Sequence, residues 1–154
     1  MNSDIQKLQK LLNINFKNIN LIKQAITHKS YNALKNYEQL EFLGDRVLGL
    51  IISNRLIQLY PHEKVGILDK KLASLVNKNK CLEVGNKLKL RKYILVGNKS
   101  SSKDDIENKI ISDCCEAIIG AIYLDKGFNI AKKFILKIWE EFIDSTNETI
   151  VDAK

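Results

Sequence analysis

Tyr37-Glu38-Gln39-Leu40-Glu41-Phe42-Leu43-Gly44-Asp45-Arg46-Val47-Leu48 is the stretch on which the reading of this chain turns. At about 100° per residue, the acids Glu38, Glu41 and Asp45 fall within an arc of roughly 60°, while Leu40, Leu43, Val47, Leu50 and Ile51 fill the opposite side. The segment reads as a helix with an apolar back and a carboxylate front. Acids at this spacing repel one another, weakly in water and far more once desolvated, so something cationic is expected among them. Phe42 is out of place: on the same wheel it falls near 40°, on the carboxylate side. Its ring is either tucked under a neighbouring helix or inserted into another subunit, where aromatic anchors are enriched.

A second acidic pair, Asp113 and Glu116, interrupts the apolar run Ile110-Ile111-Ser112-Asp113-Cys114-Cys115-Glu116-Ala117-Ile118-Ile119-Gly120-Ala121-Ile122-Tyr123. A single acid on an amphipathic helix is ordinarily just part of a solvated face. Two acidic clusters set in the two most apolar stretches of a chain are harder to explain that way. If the two helices pack side by side, four or five carboxylates converge, which is the oxygen-rich environment preferred by Mg²⁺ or Mn²⁺.

Elsewhere the periodicity is helical. Ser3 and Asp4 can cap a first helix carrying Ile5, Leu8, Leu11 and Leu12, and Ile19, Ile22, Ala25 and Ile26 suggest a second. The acidic helix runs from about Tyr37 to Tyr60 and is stopped by Pro61, the single proline. Asp69 can cap a helix with Leu72, Leu75 and Val76, followed by another over 78–88. Residues 97–105 read as a polar loop, Ile106 to Leu124 as the second acidic helix, and Gly127 as the opening of a last helix over 130–142. No strand alternation, internal repeat or glycine-rich phosphate loop is present, so the fold class is all-α.

The 154 residues suit one domain with a genuine core, and the 45% hydrophobic and 28% charged shares are ordinary for a globular protein. No run is long and apolar enough to span a membrane and the first residues lack the apolar core of a signal peptide, so a cytoplasmic protein without membrane attachment is expected. Adjacent Cys114 and Cys115 and the distant Cys81 make no metal-binding spacing and read as buried thiols. Charge is uneven. Residues 64–103 hold eleven Lys/Arg against two acids, whereas 104–154 hold six against eleven. The basic middle is a plausible surface for a polyanion such as nucleic acid, although the chain's richness in Lys, Asn and Ile offers a purely compositional explanation.

The run from Tyr37 to Leu48 closely resembles the signature helix of the ribonuclease III family. Gln24-Ala25-Ile26-Thr27-His28-Lys29-Ser30-Tyr31 is similar to that family's upstream segment, and Asp113 through Asp125 to its second acidic helix. The matches cover roughly residues 20 to 128, in order. The resemblance implies an all-helical, homodimeric endonuclease domain, over residues 1–144 here; 145–154 loses apolar periodicity and reads as a tail or linker. The double-stranded-RNA-binding domain with which most bacterial members continue is expected to be lacking in this chain, a departure from the family that should make RNA binding weaker and more salt-sensitive. It implies hydrolysis of double-stranded RNA with Mg²⁺, for which Mn²⁺ can substitute, and no organic cofactor. The products would be short 3′ overhangs with 5′-phosphates and 3′-hydroxyls, in processing such as rRNA maturation. Carried over by position, Glu41, Asp113 and Glu116 would ligate the metal and Asp45 and Glu116 would be essential for turnover. Glu38 would be an outer carboxylate, and Phe42 the aromatic residue that plugs into the partner subunit. His28 reads as structural.

Two positions depart from the family pattern: Val65 stands where an acid is usual, and Leu72 where a basic residue is usual. Their joint loss suits a missing ion pair, so altered RNA contacts or local packing are expected with the chemistry intact. Two other readings remain open at this level. One is a scaffold that keeps the fold and binds RNA without cutting it, against which the intact acids argue. The other is a ferritin-like di-metal oxidase, which requires Glu-x-x-His pairs that His28 and His62 do not supply.

Overall fold

The computed structural model describes residues 2–97 and 106–149. Among these residues eight α-helices follow one another: α1 (Asn2–Leu12), α2 (Ile19–Ala25), α3 (Glu38–Leu59), α4 (Val65–Leu75), α5 (Lys78–Lys87), α6 (Asn108–Lys126), α7 (Phe128–Ile138) and α8 (Glu140–Thr149). A 3-10 turn at Leu90–Lys92 follows α5. Among the described residues extended pairing is limited to one isolated parallel bridge between Thr27 and Leu95. The all-α expectation is met. From residue 98 onward the expected polar loop lies outside the described residues, as does 150–154.

The most extensive contact in the molecule joins α3 to α6, and α5 packs on the other flank of α6. Helix α6 is the axle of the fold. Ile111, Cys114, Ala117, Ile118, Ile119, Ala121 and Ile122 are all buried on it, together with Ser112, Asp113 and Glu116. Small residues make the crossing tight. A side chain on Gly44 of α3 would overlap the carbonyl oxygen of Glu116, and one on Gly120 of α6 would overlap that of Leu40. Backbones this close leave no layer of side chains between the two acidic segments.

Boundaries differ from the sequence reading where packing overrides capping. Helix α4 starts at Val65, four residues before Asp69, and no side chain caps it. Leu68, Leu72 and Leu75 pack on the core from successive turns and hold the helix in register, leaving Asp69 as an interior residue. The single helix expected over 130–142 is two, α7 and α8, meeting at Trp139. That fully buried indole donates from Nε1 to the Leu75 carbonyl at 2.9 Å, which fixes the junction against α4. Helix α8 continues to Thr149, so the helical structure extends beyond 144. Thr146 is buried, and its carbonyl accepts from Lys71 Nζ at 3.3 Å.

Several of the described cations of the basic middle are engaged within the fold. Lys71 is buried with its ammonium 4.1 Å from the centre of the Tyr60 ring. Arg91 donates to the Ile106 carbonyl at 2.6 Å, and Lys87 pairs with Glu141 at 3.1 Å. At the two departures from the family pattern, Val65 is exposed whereas Leu72 packs against the core. No described helix is long and apolar enough to cross a membrane. The three cysteines are free and buried, with burial raising the Cys114 thiol well above its usual range.

Candidate metal centre

Each acid reaches the site for a local reason. Asn36, buried ahead of α3, donates to the carbonyls of Asn32 and Ala33 and accepts from the Glu38 amide at 3.1 Å, which holds the first amide of the helix. The Tyr37 amide donates to the Thr27 carbonyl at 2.9 Å, tying the same point to the end of α2. With its first turn fixed, α3 projects Glu41 and Asp45 towards α6. On α6, Asp113 and Glu116 lie one turn apart on the side that meets α3, because the glycine crossing brings that side against it.

Glu41, Asp113 and Glu116 each present an oxygen such that all three lie within 4.8 Å of one another. Asp113 and Glu116 are almost fully buried, with side chains 1% and 4% exposed, whereas Glu41 is partly open. Asp45 is half-exposed beside this trio and forms a 3.5 Å pair with Arg46. Glu38 is exposed at the rim of a cavity of about 730 Å³ that Glu41 and Asp113 also line. The sequence-predicted acids therefore form a graded arrangement: three gathered, one at the mouth, one on the rim.

The expected cation among them is a lysine. Lys78, first residue of α5, directs its ammonium to Asp113 Oδ1 at 2.8 Å, to Glu41 Oε2 at 3.0 Å and, closest, to Glu116 Oε1. The second oxygen of Asp113 accepts from Lys109 at 2.7 Å and from the Tyr37 hydroxyl at 3.2 Å. Sequence reasoning missed these three residues. Lys109 was discoverable, since it precedes Asp113 by one helical turn. Lys78 carried no such signal, because only packing of α5 against α6 brings it to the acids.

Electrostatics separates the carboxylates. Burial pushes Glu116 up to about 7, Asp45 adds to the rise, and the Lys78 ammonium opposes it. Burial also raises Glu41, against the pull of Lys78. Asp113 is the reverse: burial favours its neutral form, but Lys109 and Lys78 outweigh this and hold it below the ordinary carboxylate range. For Lys78, burial works against the charge, and the hydrogen bonds it donates to three carboxylates overcome this, leaving the ammonium more firmly protonated than a free lysine. Burial and the Asp113 charge raise the Tyr37 phenol, which stays a donor.

His28, expected to be structural, lies on the lining of the same cavity and is held by local hydrogen bonds. Its Nδ1 accepts from the Ser30 amide at 3.1 Å and lies 2.7 Å from the Ser30 hydroxyl, which itself accepts from the Gly97 amide at 2.9 Å. Its ring packs against Tyr37 with centroids 5.8 Å apart. Burial, aided by Lys29, lowers its affinity for a proton. Phe42 is 63% exposed, with the Arg46 guanidinium 3.9 Å from the ring centre. The ring is not tucked beneath a neighbouring helix of this chain.

Residues 18–142 match the family model described as Ribonuclease-III-like. Among curated relatives, Ribonuclease 3 of Pelagibacter ubique is 55% identical over 148 residues, 96% of this chain and 67% of that protein. Ribonuclease 3 of Aliarcobacter butzleri is 45% identical over 94% of this chain and 65% of its own length. The chain thus spans about two thirds of the relatives it matches. Among solved structures, a nuclease domain of ribonuclease III from Campylobacter jejuni superposes with a TM-score of 0.84 at 38% identity, covering 91% of this chain and 99% of that one. A second structure of that domain gives 0.81 at 39% identity, over 88% and 93% of the two chains.

Proposed function

Since the chain belongs to the ribonuclease III family and has the fold of its nuclease domain, we propose that it is a divalent-metal-dependent endonuclease of double-stranded RNA. The observation that carries this reading is the meeting of Glu41, Asp113 and Glu116 around a single cation. An ammonium held by three carboxylate oxygens marks a place built for positive charge, and hard oxygen donors suit Mg²⁺, with Mn²⁺ as a substitute. Glu41, Asp113 and Glu116 would hold that ion. When bound, it supplies a water made nucleophilic near neutral pH and neutralises charge on the phosphate and the departing 3′-oxygen.

The chain's other groups prepare the site. Tyr37 and Lys109 fix one oxygen of Asp113, so the carboxylate keeps the other turned to the centre. Asp45, half-exposed beside Glu116, would face an approaching RNA backbone, and loss of either acid is expected to stop turnover. Glu38 acts as an outer carboxylate. Lys29 and Lys109 line the adjoining cavity and offer charge to phosphates. Recognition rests on A-form shape, 2′-hydroxyls and phosphates, since the deep major groove of duplex RNA hides its base edges.

The functional unit is a homodimer. Phe42, Leu50 and Ile57, all more than half exposed, lie on one side of α3 and form an apolar stripe away from the core. A likeness to a nuclease domain with a known dimer-forming region supports the same use here. Two centres related by a two-fold axis would cut one strand each, leaving 3′ overhangs of short length with 5′-phosphates, as in the maturation of rRNA precursors. The buried free thiols suit action in the cytoplasm.

A long RNA duplex incubated with the protein, with and without Mg²⁺, tests the reading. Duplex fragments with recessed 5′ ends are expected only with the metal, and Glu116→Gln should retain RNA on a gel without cutting it. Absence of cleavage by the unaltered chain in Mg²⁺, with RNA still bound, would favour the non-cutting scaffold.

A further inference from the structure

We propose that Lys78 is a built-in counter-cation which occupies the metal position until a divalent ion displaces it. The inference rests on the metal-centre reading above. An ammonium has three donors, and Lys78 spends them on Glu41 Oε2, Asp113 Oδ1 and Glu116 Oε1, one oxygen from each residue of the trio whose carboxylates could share an ion. Mg²⁺ binds its oxygens at about 2.0–2.1 Å. An ammonium within hydrogen-bonding distance of all three oxygens fills the same space, so the two cations exclude each other.

The surroundings make the exchange a side-chain event. The backbone of Lys78 is held: its carbonyl accepts from Ser112 Oγ at 3.0 Å, and the preceding Asn77 side chain caps α5 through the Lys80 amide at 2.8 Å. Its side chain is 53% exposed, so the stem can swing outward without opening the core. Lys109 is different. It holds Asp113 Oδ2, the oxygen turned away from Lys78, and can remain while an ion binds.

Two consequences follow. The buried acids are neutralised without metal, so the metal-free chain stays folded; and every divalent ion must first break the Lys78 cluster, which raises the concentration needed to load the site. After release, the ammonium stands at the mouth, available to a phosphate.

Calorimetric titration of the RNA-free chain with Mn²⁺, comparing the unaltered protein with Lys78→Met and Lys78→Arg, tests the exchange. Lys78→Met should bind Mn²⁺ about tenfold tighter and melt at lower temperature when metal-free, while Lys78→Arg should stay weak. Affinity for Mn²⁺ unchanged within about twofold, or weakened, in Lys78→Met would overturn the proposal. A measurement on the unaltered chain guards against a variant that does not fold: the ¹⁵N-lysine Nζ resonance of Lys78, protected from exchange without metal, should lose that protection as Mg²⁺ is added. Persistence of the protected resonance at saturating Mg²⁺ also overturns it. If neither the unaltered chain nor Lys78→Met takes up any divalent ion, the metal-centre reading itself falls, an outcome distinct from equal binding by both.

Discussion

A Cβ placed on Gly44 would overlap the carbonyl oxygen of Glu116 and stand 2.7 Å from its carbonyl carbon. The glycine of one acidic helix thus lies directly against the backbone that carries a principal carboxylate of the other. Gly44→Ala has to separate α3 from α6, since the opposing atoms are backbone and cannot rotate away. A loss of about 3 kcal/mol or more is expected, at the upper end of overpacking costs, together with weaker Mn²⁺ binding. Denaturant unfolding and metal titration of the same sample check both.

Tyr37→Phe removes one donor from Asp113 Oδ2 and leaves Lys109 in place. The carboxylate then has more freedom to turn. Outer hydrogen bonds of this kind commonly tune metal sites by about tenfold or more, so turnover at limiting Mg²⁺ should fall by about tenfold and recover as Mg²⁺ is raised. Steady-state rates across a Mg²⁺ series would show this; an equal loss at every concentration would contradict a role in positioning the ligand.

Asp125 links the end of α6 to the start of α2, accepting from the amides of Lys17 and Asn18 at 2.9 Å each. Burial favours its neutral form, but those amides and Lys126 outweigh it and hold the carboxyl below its ordinary range. A depressed folded pKa contributes stability above the unfolded value and loses it as pH falls through the folded one. Asp125→Asn should therefore cost about 1–2 kcal/mol at pH 7. That difference should shrink below about pH 4, the ordinary aspartate range. Urea melts of both proteins from pH 7 down to 3 provide the comparison.

Phe42→Ala removes the most exposed aromatic ring of the α3 stripe without touching the core. If that stripe is the dimer seam, truncating such an anchor should weaken self-association by about thirtyfold or more. The melting temperature at low protein concentration should hardly change. Sedimentation equilibrium distinguishes this from a surface ring with no partner, for which both proteins would show the same mass.

The all-helical class, the paired acidic helices and the awkwardness of Phe42 were legible because each rests on residues within a few turns of one another. Leu40, Val47 and Ile51 set the buried side of α3, although Leu50, assigned to the same face, is exposed. The boundaries of α4 and the α7–α8 junction were less legible. They depend on what Leu68, Leu72 and Trp139 touch across the fold, and local caps say nothing of that.

The sequence by itself determined which acidic side chains share a helix: periodicity put Glu41 and Asp45 on one helix and Asp113 and Glu116 on another, and repulsion among them demanded a cation. Only the tertiary structure decided which cation answers, since Lys78 meets three of those acids from a third helix. Helical spacing is local and can be read from neighbouring residues. The balance of charge in a buried pocket is a sum over groups brought together by packing, and one-dimensional order does not record it.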